Sequence, residues 1–401
     1  MQRLGTNDQP LQFSLWWIFS LACFLPLAST LVMIPRPIMF SVGLLLAIFL
    51  IVLIFRRDLL RIAPLAGFMT AFFYLFLQYS KTAYHYDVGL GLASIFRYML
   101  FGLVLWAIIN GLVSRRAVLI IQNSAITFCV IAVLGGEALG NYIFKNGAER
   151  FMGLGHSGAP VGMLFAIVLL IIFHRLCHSL ESKKMLSFNN LWYVSLMLLL
   201  FIYLYKTGSR QPLGGILLVI GGLSLLRMPI KYSVSVVLSL CCVIVYYGLN
   251  LDIFGRIGLL FSRILELQAL SSLAEVDTSI GARLRYFEVG VSALIDGGWA
   301  FGLGLNSFPG VYEDAVGKAG VAPHNDLLLV LIDFGLIPFV FFLLLSISFI
   351  IIKRRQIPIE TWSYFLLWFV GFSLNNFFFY WMLVVLMMMS AVQVKNKSCE
   401  V

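Results

Sequence analysis

The chain has 401 residues, of which 61% are hydrophobic and only 11% are charged. A soluble domain carries about 25% charged residues, so the composition excludes an ordinary soluble protein and predicts a polytopic membrane protein. Because a bilayer offers no water to unpaired amides, the long apolar runs must be helices. A β-barrel would show short alternating segments, and residues 41–55 (SVGLLLAIFLIVLIF) do not alternate. We therefore expect an all-α fold, with residues 1–401 forming a single transmembrane helical domain.

The apolar runs divide into twelve predicted spans. The first run is long enough to cross a bilayer and has no clear small-residue cleavage site, so we interpret it as a span and not as a removed signal peptide. In chain order the predicted spans are 13–34, 37–55, 62–80, 88–112, 117–139, 158–174, 190–205, 211–226, 232–250, 325–351, 360–374 and 376–393.

The basic residues predict the orientation. If both termini are cytoplasmic, sixteen of the 28 lysines and arginines fall on the inner side, as the positive-inside rule requires. The net charge of +10 then favours contact with anionic lipid at the inner face, and not with nucleic acid. Arg97 is different because it lies inside the fourth predicted span, where an arginine costs ~2.5–3.5 kcal/mol at the bilayer centre. It is expected to face a polar interior or to extend towards the outer surface.

One connection is unusually long. Residues 251–323 form a predicted outer, periplasmic loop of 73 residues between the ninth and tenth spans. Residues 256–275 and 282–295 carry apolar side chains at helical spacing, and we expect both to be amphipathic helices at the membrane surface. Residues 296–310 (DGGWAFGLGLNSFPG) are expected to form an ordered loop, and long ordered loops are often lids or binding elements.

His324 stands at the start of the tenth span, directly after Pro323. A helix is predicted to begin near Asn325, whose side chain is able to cap the exposed amides. The positive end of such a helix disfavours an imidazolium, so His324 is expected to stay neutral, as a general base must. The alternative is an interfacial histidine that only helps to cap the helix.

Two further cationic segments lie on the predicted outer side. Lys206, Thr207, Ser209 and Arg210 form a predicted tight turn between the seventh and eighth spans, at the depth of lipid phosphates. An arginine pairs with phosphate oxygens through two parallel bonds, so the turn is either a phosphate clamp or a lipid anchor. The second segment contains Arg283 and Arg285, which do not share a helix face because they are two residues apart.

Several signals of other chemistry are missing from the sequence. The outer loops have no Asp-x-Asp pair to hold a metal-bound nucleotide sugar, and no Walker A motif supports ATP hydrolysis. His174 and His178 have the spacing of a metal pair but no further ligand nearby, so we interpret them as interfacial residues. We therefore expect no metal and no other cofactor. None of the six cysteines falls in a predicted outer loop, so we also expect no structural disulfide.

Together these residues resemble the O-antigen ligase and O-antigen polymerase superfamily. The ligase signature is a histidine, then Asn, Ser or Gln, nine residues, a glycine, two residues, and Gly, Thr or Tyr. His324, Asn325 and Gly335 match it, whereas Pro338 occupies the last position. Ser209-Arg210 resembles the family's Ser-Arg turn, and Arg283 its arginine ahead of an amphipathic helix. The GLGLNSF segment (302–308) also fits, and the resemblance is strongest over about residues 205–340.

The resemblance implies an inverting, metal-independent glycosyltransferase in the bacterial inner membrane. Its donor would be a glycan on undecaprenyl pyrophosphate, and its acceptor a sugar hydroxyl of lipid A–core at the periplasmic face. His324 is then the candidate base, and Arg210 and Arg283 would hold the pyrophosphate. Lys206, Arg97, Arg285 and Asn325 rank second as site residues.

Three alternatives remain open. The polymerase branch joins lipid-linked repeat units and shares the same general layout. A secondary transporter usually shows related halves and charged residues near the midplane, and neither is evident here. A purely structural membrane scaffold leaves the outer arginines and the histidine unexplained.

Overall fold

The structure is a computed structural model, and it is mostly helical. It describes residues 62–86, 95, 98, 115–145, 148–154, 158–181, 188–227, 234, 238, 278–318, 325–341, 344 and 359–371. The predicted spans 13–34, 37–55 and 376–393 lie outside the described residues, as do most of 88–112 and 232–250, the amphipathic segment 256–275, Arg97 and His324.

The helices follow the predicted apolar runs, and most differ from them by a few residues at each end. Within the described residues, Leu119–Ala138 and Val161–Ser179 are long and apolar enough to cross a membrane, and Asn190–Lys206 and Gln211–Arg227 are shorter apolar helices. The full helices are α1 (Ile62–His85), α2 (Arg115–Ala138), α3 (Gly158–Glu181), α4 (Phe188–Lys206), α5 (Arg210–Arg227), α6 (Thr278–Ala293), α7 (Phe308–Val316), α8 (Asp326–Phe334) and α9 (Ile359–Gly371).

Helix α3 is the centre of a helix bundle. Its side chains from Val161 to Phe173 are all buried, which is the pattern of a helix that is covered on every side. Helices α2, α4, α5 and α9 pack against it. At one end of α3, Gly162 lies against the connection between α4 and α5, because a Cβ there would stand 2.6 Å from the Ser209 side chain.

A short β-hairpin joins α2 to α3 and departs from the all-α expectation. Strand β1 (Tyr142–Lys145) pairs with β2 (Ala148–Phe151) in antiparallel register, so that Tyr142 is opposite Phe151 and Ile143 is opposite Arg150. The sequence carried the signal for it, since Asn-Gly at 146–147 favours a two-residue hairpin turn. The hairpin lies at the same end of the bundle as the α4–α5 turn, which its Phe151 and Tyr142 approach through Tyr203 and Lys206.

Helices α6, α7 and α8 form a second apolar cluster. The helix predicted within 282–295 is confirmed. Its predicted apolar stripe comprises Leu284, Phe287, Val291 and Leu294, of which Leu294 is buried in this cluster whereas Phe287 is 54% exposed. The buried face passes through Tyr286, Gly290 and Leu294. The tertiary partners decide this: the Tyr286 ring packs on α7, and Gly290 has no side chain to keep the Ile332 side chain of α8 away.

The tenth predicted span, 325–351, is not one continuous helix. Helix α8 ends at Phe334, Gly335 adopts φ 80° and ψ 177°, and helical backbone resumes over 336–341. Pro338 has no amide hydrogen to return to the Phe334 carbonyl, which instead accepts a long hydrogen bond of 3.4 Å from the Tyr74 hydroxyl of α1. The sequence did not predict this break. It leaves the Leu336 and Ile337 amides to donate to the Trp299 and Ala300 carbonyls, in the loop that precedes α7.

Candidate active site

The α4–α5 connection is a tight turn, as predicted, and we call residues 206–210 the outer turn, after the side of the membrane that the sequence predicts for it. Helix α4 ends at Lys206, Gly208 adopts φ 66°, and α5 begins at Arg210. The Thr207 hydroxyl donates to the Leu204 carbonyl at 2.6 Å and accepts from the Ser209 amide at 3.3 Å. Thr207 therefore stabilises the turn itself. The side chain of Arg210 lies outside the described part of the structure.

Lys206 belongs to a polar network at this end of the bundle. Its ammonium lies 3.1 Å from Glu137 Oε1 and 4.6 Å from the centre of the Tyr203 ring. The Tyr142 and Tyr203 hydroxyls donate to the same carboxylate oxygen at 2.5 and 2.6 Å. Desolvation raises the pKa of the Tyr142 hydroxyl above its ordinary value, and the neighbouring Glu137 raises it further. Tyr142 thus remains a proton donor at neutral pH, and Glu137 joins α2, the hairpin and α4.

Arg150 extends from the hairpin onto the outer turn. A Cβ at Gly208 would lie 3.1 Å from Arg150 Nε and 3.2 Å from its Cδ. The arginine side chain therefore rests on the turn one residue before Ser209. Arg150 is half-buried, and within the described residues its guanidinium has no hydrogen-bond or carboxylate partner.

Residues 299–307, which we call the glycine loop, are held between α1 and α8. The Thr82 hydroxyl donates to the Leu305 carbonyl at 2.8 Å, and Lys81 donates to the Phe301 carbonyl at 3.1 Å. On the other side, the Leu336 amide donates to the Trp299 carbonyl at 2.7 Å, within the break after α8. The approach is so close that a Cβ on Gly335 would overlap the Gly302 amide. The sequence predicted an ordered loop over 296–310. The prediction is confirmed over 299–307, whereas 296–298 lie in a π-helix (Leu294–Gly298) and 308–310 begin α7.

Asp333 fixes the far end of the glycine loop. Its carboxylate is fully buried and accepts the Asn306 amide at 2.8 Å and the Tyr98 hydroxyl at 3.0 Å. Asn306 has a positive φ of 54°, so the bond holds a backbone conformation that few residues adopt. Asp333 lies between Asn325 and Gly335 and connects the tenth predicted span to both the glycine loop and the fourth span.

The remaining candidates lie in the second cluster. Asn325 is the N-cap of α8, with its side chain accepting the Leu328 amide at 3.0 Å, so the predicted cap is confirmed. Helix α6 packs against α8. Arg283 is half-buried near Tyr286, while Arg285 is exposed. Desolvation and the neighbouring Tyr312 raise the pKa of Tyr286, and the Arg283 guanidinium opposes part of that rise. The two arginines therefore differ in exposure, as their spacing predicted.

The structure thus groups the candidates in two sets. Lys206 and the Arg210 backbone share the outer turn, and Arg283, Arg285 and Asn325 belong to α6 and α8. The meeting of both sets in one pocket with His324 stays a prediction.

The structure shows a helical membrane protein in which a tight turn joins α4 to α5 and a hydrogen-bonded loop lies between α1 and α8. Residues 195–343 match the family described as O-antigen ligase, so the resemblance drawn from the sequence is confirmed over that stretch. The match implies a membrane enzyme of the glycosyltransferase type that acts on lipid-linked glycans. Comparisons with curated proteins and with solved structures gave no match.

Three residues with clear structural roles escaped the sequence reasoning. Glu137 and Asp333 are isolated acids within apolar helices, and such acids are expensive unless they are paired. That rule was the signal that could have found them. Arg150 is one of several basic residues on the predicted outer side, and only the folded hairpin, which brings it against Gly208, distinguishes it from the others.

Proposed function

We propose that the protein transfers O-antigen polysaccharide from undecaprenyl pyrophosphate to a sugar hydroxyl of lipid A–core. The reaction takes place at the periplasmic face of the inner membrane and inverts the anomeric centre. The observation that carries the proposal is the family match over 195–343. That one stretch contains the outer turn, helix α6 with Arg283, the residue His324 and the α8 cap Asn325.

His324 acts as the general base in this proposal. The acceptor hydroxyl loses its proton near the transition state, and a neutral imidazole within hydrogen-bond reach is suited to take it. Asn325 caps α8 directly after the histidine, so His324 is next to the positive end of a helix. That end disfavours the imidazolium and keeps the base ready at neutral pH.

Arg210 and Arg283 stabilise the leaving group. Negative charge grows on the pyrophosphate as the glycosidic bond breaks, and guanidinium groups fixed in a water-poor site lower the energy of that charge. The outer turn fixes the backbone of Arg210, and packing of α6 on α7 and α8 fixes that of Arg283. A single displacement by the acceptor oxygen then releases undecaprenyl pyrophosphate.

The second-rank residues have unequal support. Lys206 is paired with Glu137, so its charge is partly neutralised and it contributes less to phosphate binding than an unpaired cation. Arg285 is exposed and is assigned to water or lipid headgroups. Asn325 acts through the helix cap, and Arg97 is assigned to a phosphate contact from the fourth span.

The test is transfer in vitro with purified components. The protein, a lipid-linked glycan and lipid A–core are combined in detergent with a chelator and without ATP, and the glycosylated product is measured. We expect transfer by the native protein and none by His324→Ala, with the variant inserted at a matched level. Full activity of His324→Ala would remove the base assignment. Extension of the lipid-linked glycan without transfer to lipid A–core would identify a polymerase instead.

A further inference from the structure

The β-hairpin holds Arg150 in a fixed place at the outer end of the bundle. Phe151, the next residue, is fully buried, and its ring centre lies 4.8 Å from that of Tyr203 in α4. The Met152 amide donates to the Asn141 carbonyl at 3.0 Å, and the Asn141 side chain donates to the Gly153 carbonyl at 2.9 Å. Because Arg150 is paired with Ile143 in the hairpin and these contacts hold the residues after it, its side chain leaves from a defined point.

From that point the Arg150 side chain lies across the outer turn. Gly208 leaves room for it, since a Cβ there would stand 3.1 Å from Arg150 Nε and 3.4 Å from its Cγ. Asn is several-fold enriched among the few non-glycine residues with positive φ, so the left-handed backbone of Gly208 favours glycine without strictly requiring it. The contact with Arg150 supplies a second reason for the missing side chain.

Among the described residues, Arg150 has no carboxylate partner, whereas the nearby Lys206 has one. Lys206 is paired with Glu137 at 3.1 Å. In the part of the chain that the structure describes, no acidic side chain pairs with the Arg150 guanidinium, although the residue is half-buried. An arginine cannot shed its proton, so a half-buried guanidinium gains most from an anion with oxygens that match its two-pronged geometry.

We propose that Arg150 binds the pyrophosphate of the lipid-linked donor, together with the outer turn that carries Arg210. This inference rests on the proposed function, because it assigns a further donor-binding residue to the same site. Phospholipid headgroups offer the same phosphate chemistry at this depth. The rigid hairpin and the close Gly208 contact favour a ligand held at one position over a headgroup that exchanges freely.

The experiment measures binding without transfer. The full-length protein is placed in nanodiscs of phosphatidylcholine, and the dissociation constant for undecaprenyl pyrophosphate, without glycan or acceptor, is determined for three proteins. Arg150→Gln is expected to weaken binding about tenfold or more, the loss typical of a charged hydrogen bond. Lys318→Gln removes an exposed cation elsewhere in the predicted outer loop and is expected to bind within about twofold of the native protein.

A second arm separates the two sources of phosphate. The same proteins are titrated with phosphatidylglycerol in place of the pyrophosphate lipid. Arg150→Gln is expected to leave this weak binding unchanged. If the variant loses phosphatidylglycerol binding and keeps that of undecaprenyl pyrophosphate, Arg150 is a headgroup anchor and the proposal is wrong.

A substitution in the turn guards against simple misfolding of the hairpin. Gly208→Asn suits the positive φ but places a side chain against Arg150. We expect it to weaken undecaprenyl pyrophosphate binding in the native background and to add little in the Arg150→Gln background. Fully additive effects would contradict the contact as the cause.

Failure of this inference is distinguishable from failure of the proposed function. If the native protein binds undecaprenyl pyrophosphate but never glycosylates lipid A–core, the donor site stands and the ligase assignment fails. If Arg150→Gln binds as tightly as the native protein while transfer proceeds, the assignment of Arg150 fails alone. Absence of binding by the native protein overturns both.

Discussion

The two ends of the helix bundle differ in whether their charged side chains have partners within the described part of the protein. At the end where α3 and α5 finish and α9 begins, Arg227 forms an ion pair with Glu360. In the same region His174 is hydrogen-bonded to Ser363 at 2.8 Å, and Ser363 donates to the Glu360 carbonyl at 2.6 Å. At this end, which we call the closed end, these polar side chains are bound by other groups of the protein itself.

The opposite end, with the hairpin and the outer turn, is closed only in part. Glu137 gathers Lys206 and two tyrosines, while Arg150 rests on the turn without a partner among the described residues. A closed polar cluster fixes helices relative to one another, and an open cation offers a place to an anionic ligand. In our proposal, the same residue types stabilise the bundle at one end and bind the lipid-linked donor at the other.

The largest expected effect is at the open end. Arg210→Lys keeps the charge but loses the two-pronged geometry, so transfer should fall by about a hundredfold or more. Initial rates of transfer to lipid A–core measure it, with Arg227→Lys at the closed end as the matched control. Near-normal turnover of Arg210→Lys would reduce Arg210 to a lipid anchor.

Asp333→Ala tests the buried hydrogen bonds that hold the glycine loop, within the segment that matches the O-antigen ligase family. The Asn306 amide and the Tyr98 hydroxyl would lose a buried carboxyl acceptor, which costs roughly 1–3 kcal/mol for each group left unpaired. We expect a lower thermal midpoint in detergent and faster proteolysis within the glycine loop. Asp333→Asn retains an acceptor oxygen and should recover part of the loss; if both variants match the native protein, Asp333 does not hold the loop.

Glu137→Gln removes the negative charge that pairs with Lys206 at the hairpin end of the bundle. The amide keeps an acceptor for the tyrosines but frees the charge of Lys206, so undecaprenyl pyrophosphate binding should tighten about threefold at low salt. The gain should shrink as ionic strength rises. Weaker binding at all salt concentrations would show that Glu137 serves the site through its charge and not through its neutralisation of Lys206.

The smallest effect on transfer is expected at the closed end. Arg227→Gln breaks the ion pair with Glu360, whose partners are 20% and 29% exposed, and should lower stability by about 1 kcal/mol. The transfer rate per folded molecule should remain within about twofold of the native value. A large loss of turnover without a loss of stability would break the comparison between the two ends.

Local features were accessible from the sequence because their causes are local. Apolar runs predicted the helices, Gly208 between two runs predicted the outer turn, and the residue after His324 was correctly assigned as a cap. The buried face of α6 and the break at Gly335 were not, because each depends on a partner distant in the chain. Helical spacing gives the periodicity of a face, and the packed neighbour decides which face is covered.

The sequence by itself determined a helical membrane protein, its family resemblance and the residue types suited to phosphate and proton transfer. Hydropathy and turn propensity depend on residues that are close together in the chain, so both can be inferred from the sequence. Only the tertiary structure decided that Glu137 neutralises Lys206, that Asp333 holds the glycine loop, and that Arg150 lies on the outer turn. The pairing of charges depends on distances between segments far apart in the chain, and only the packing of helices and hairpin sets those distances.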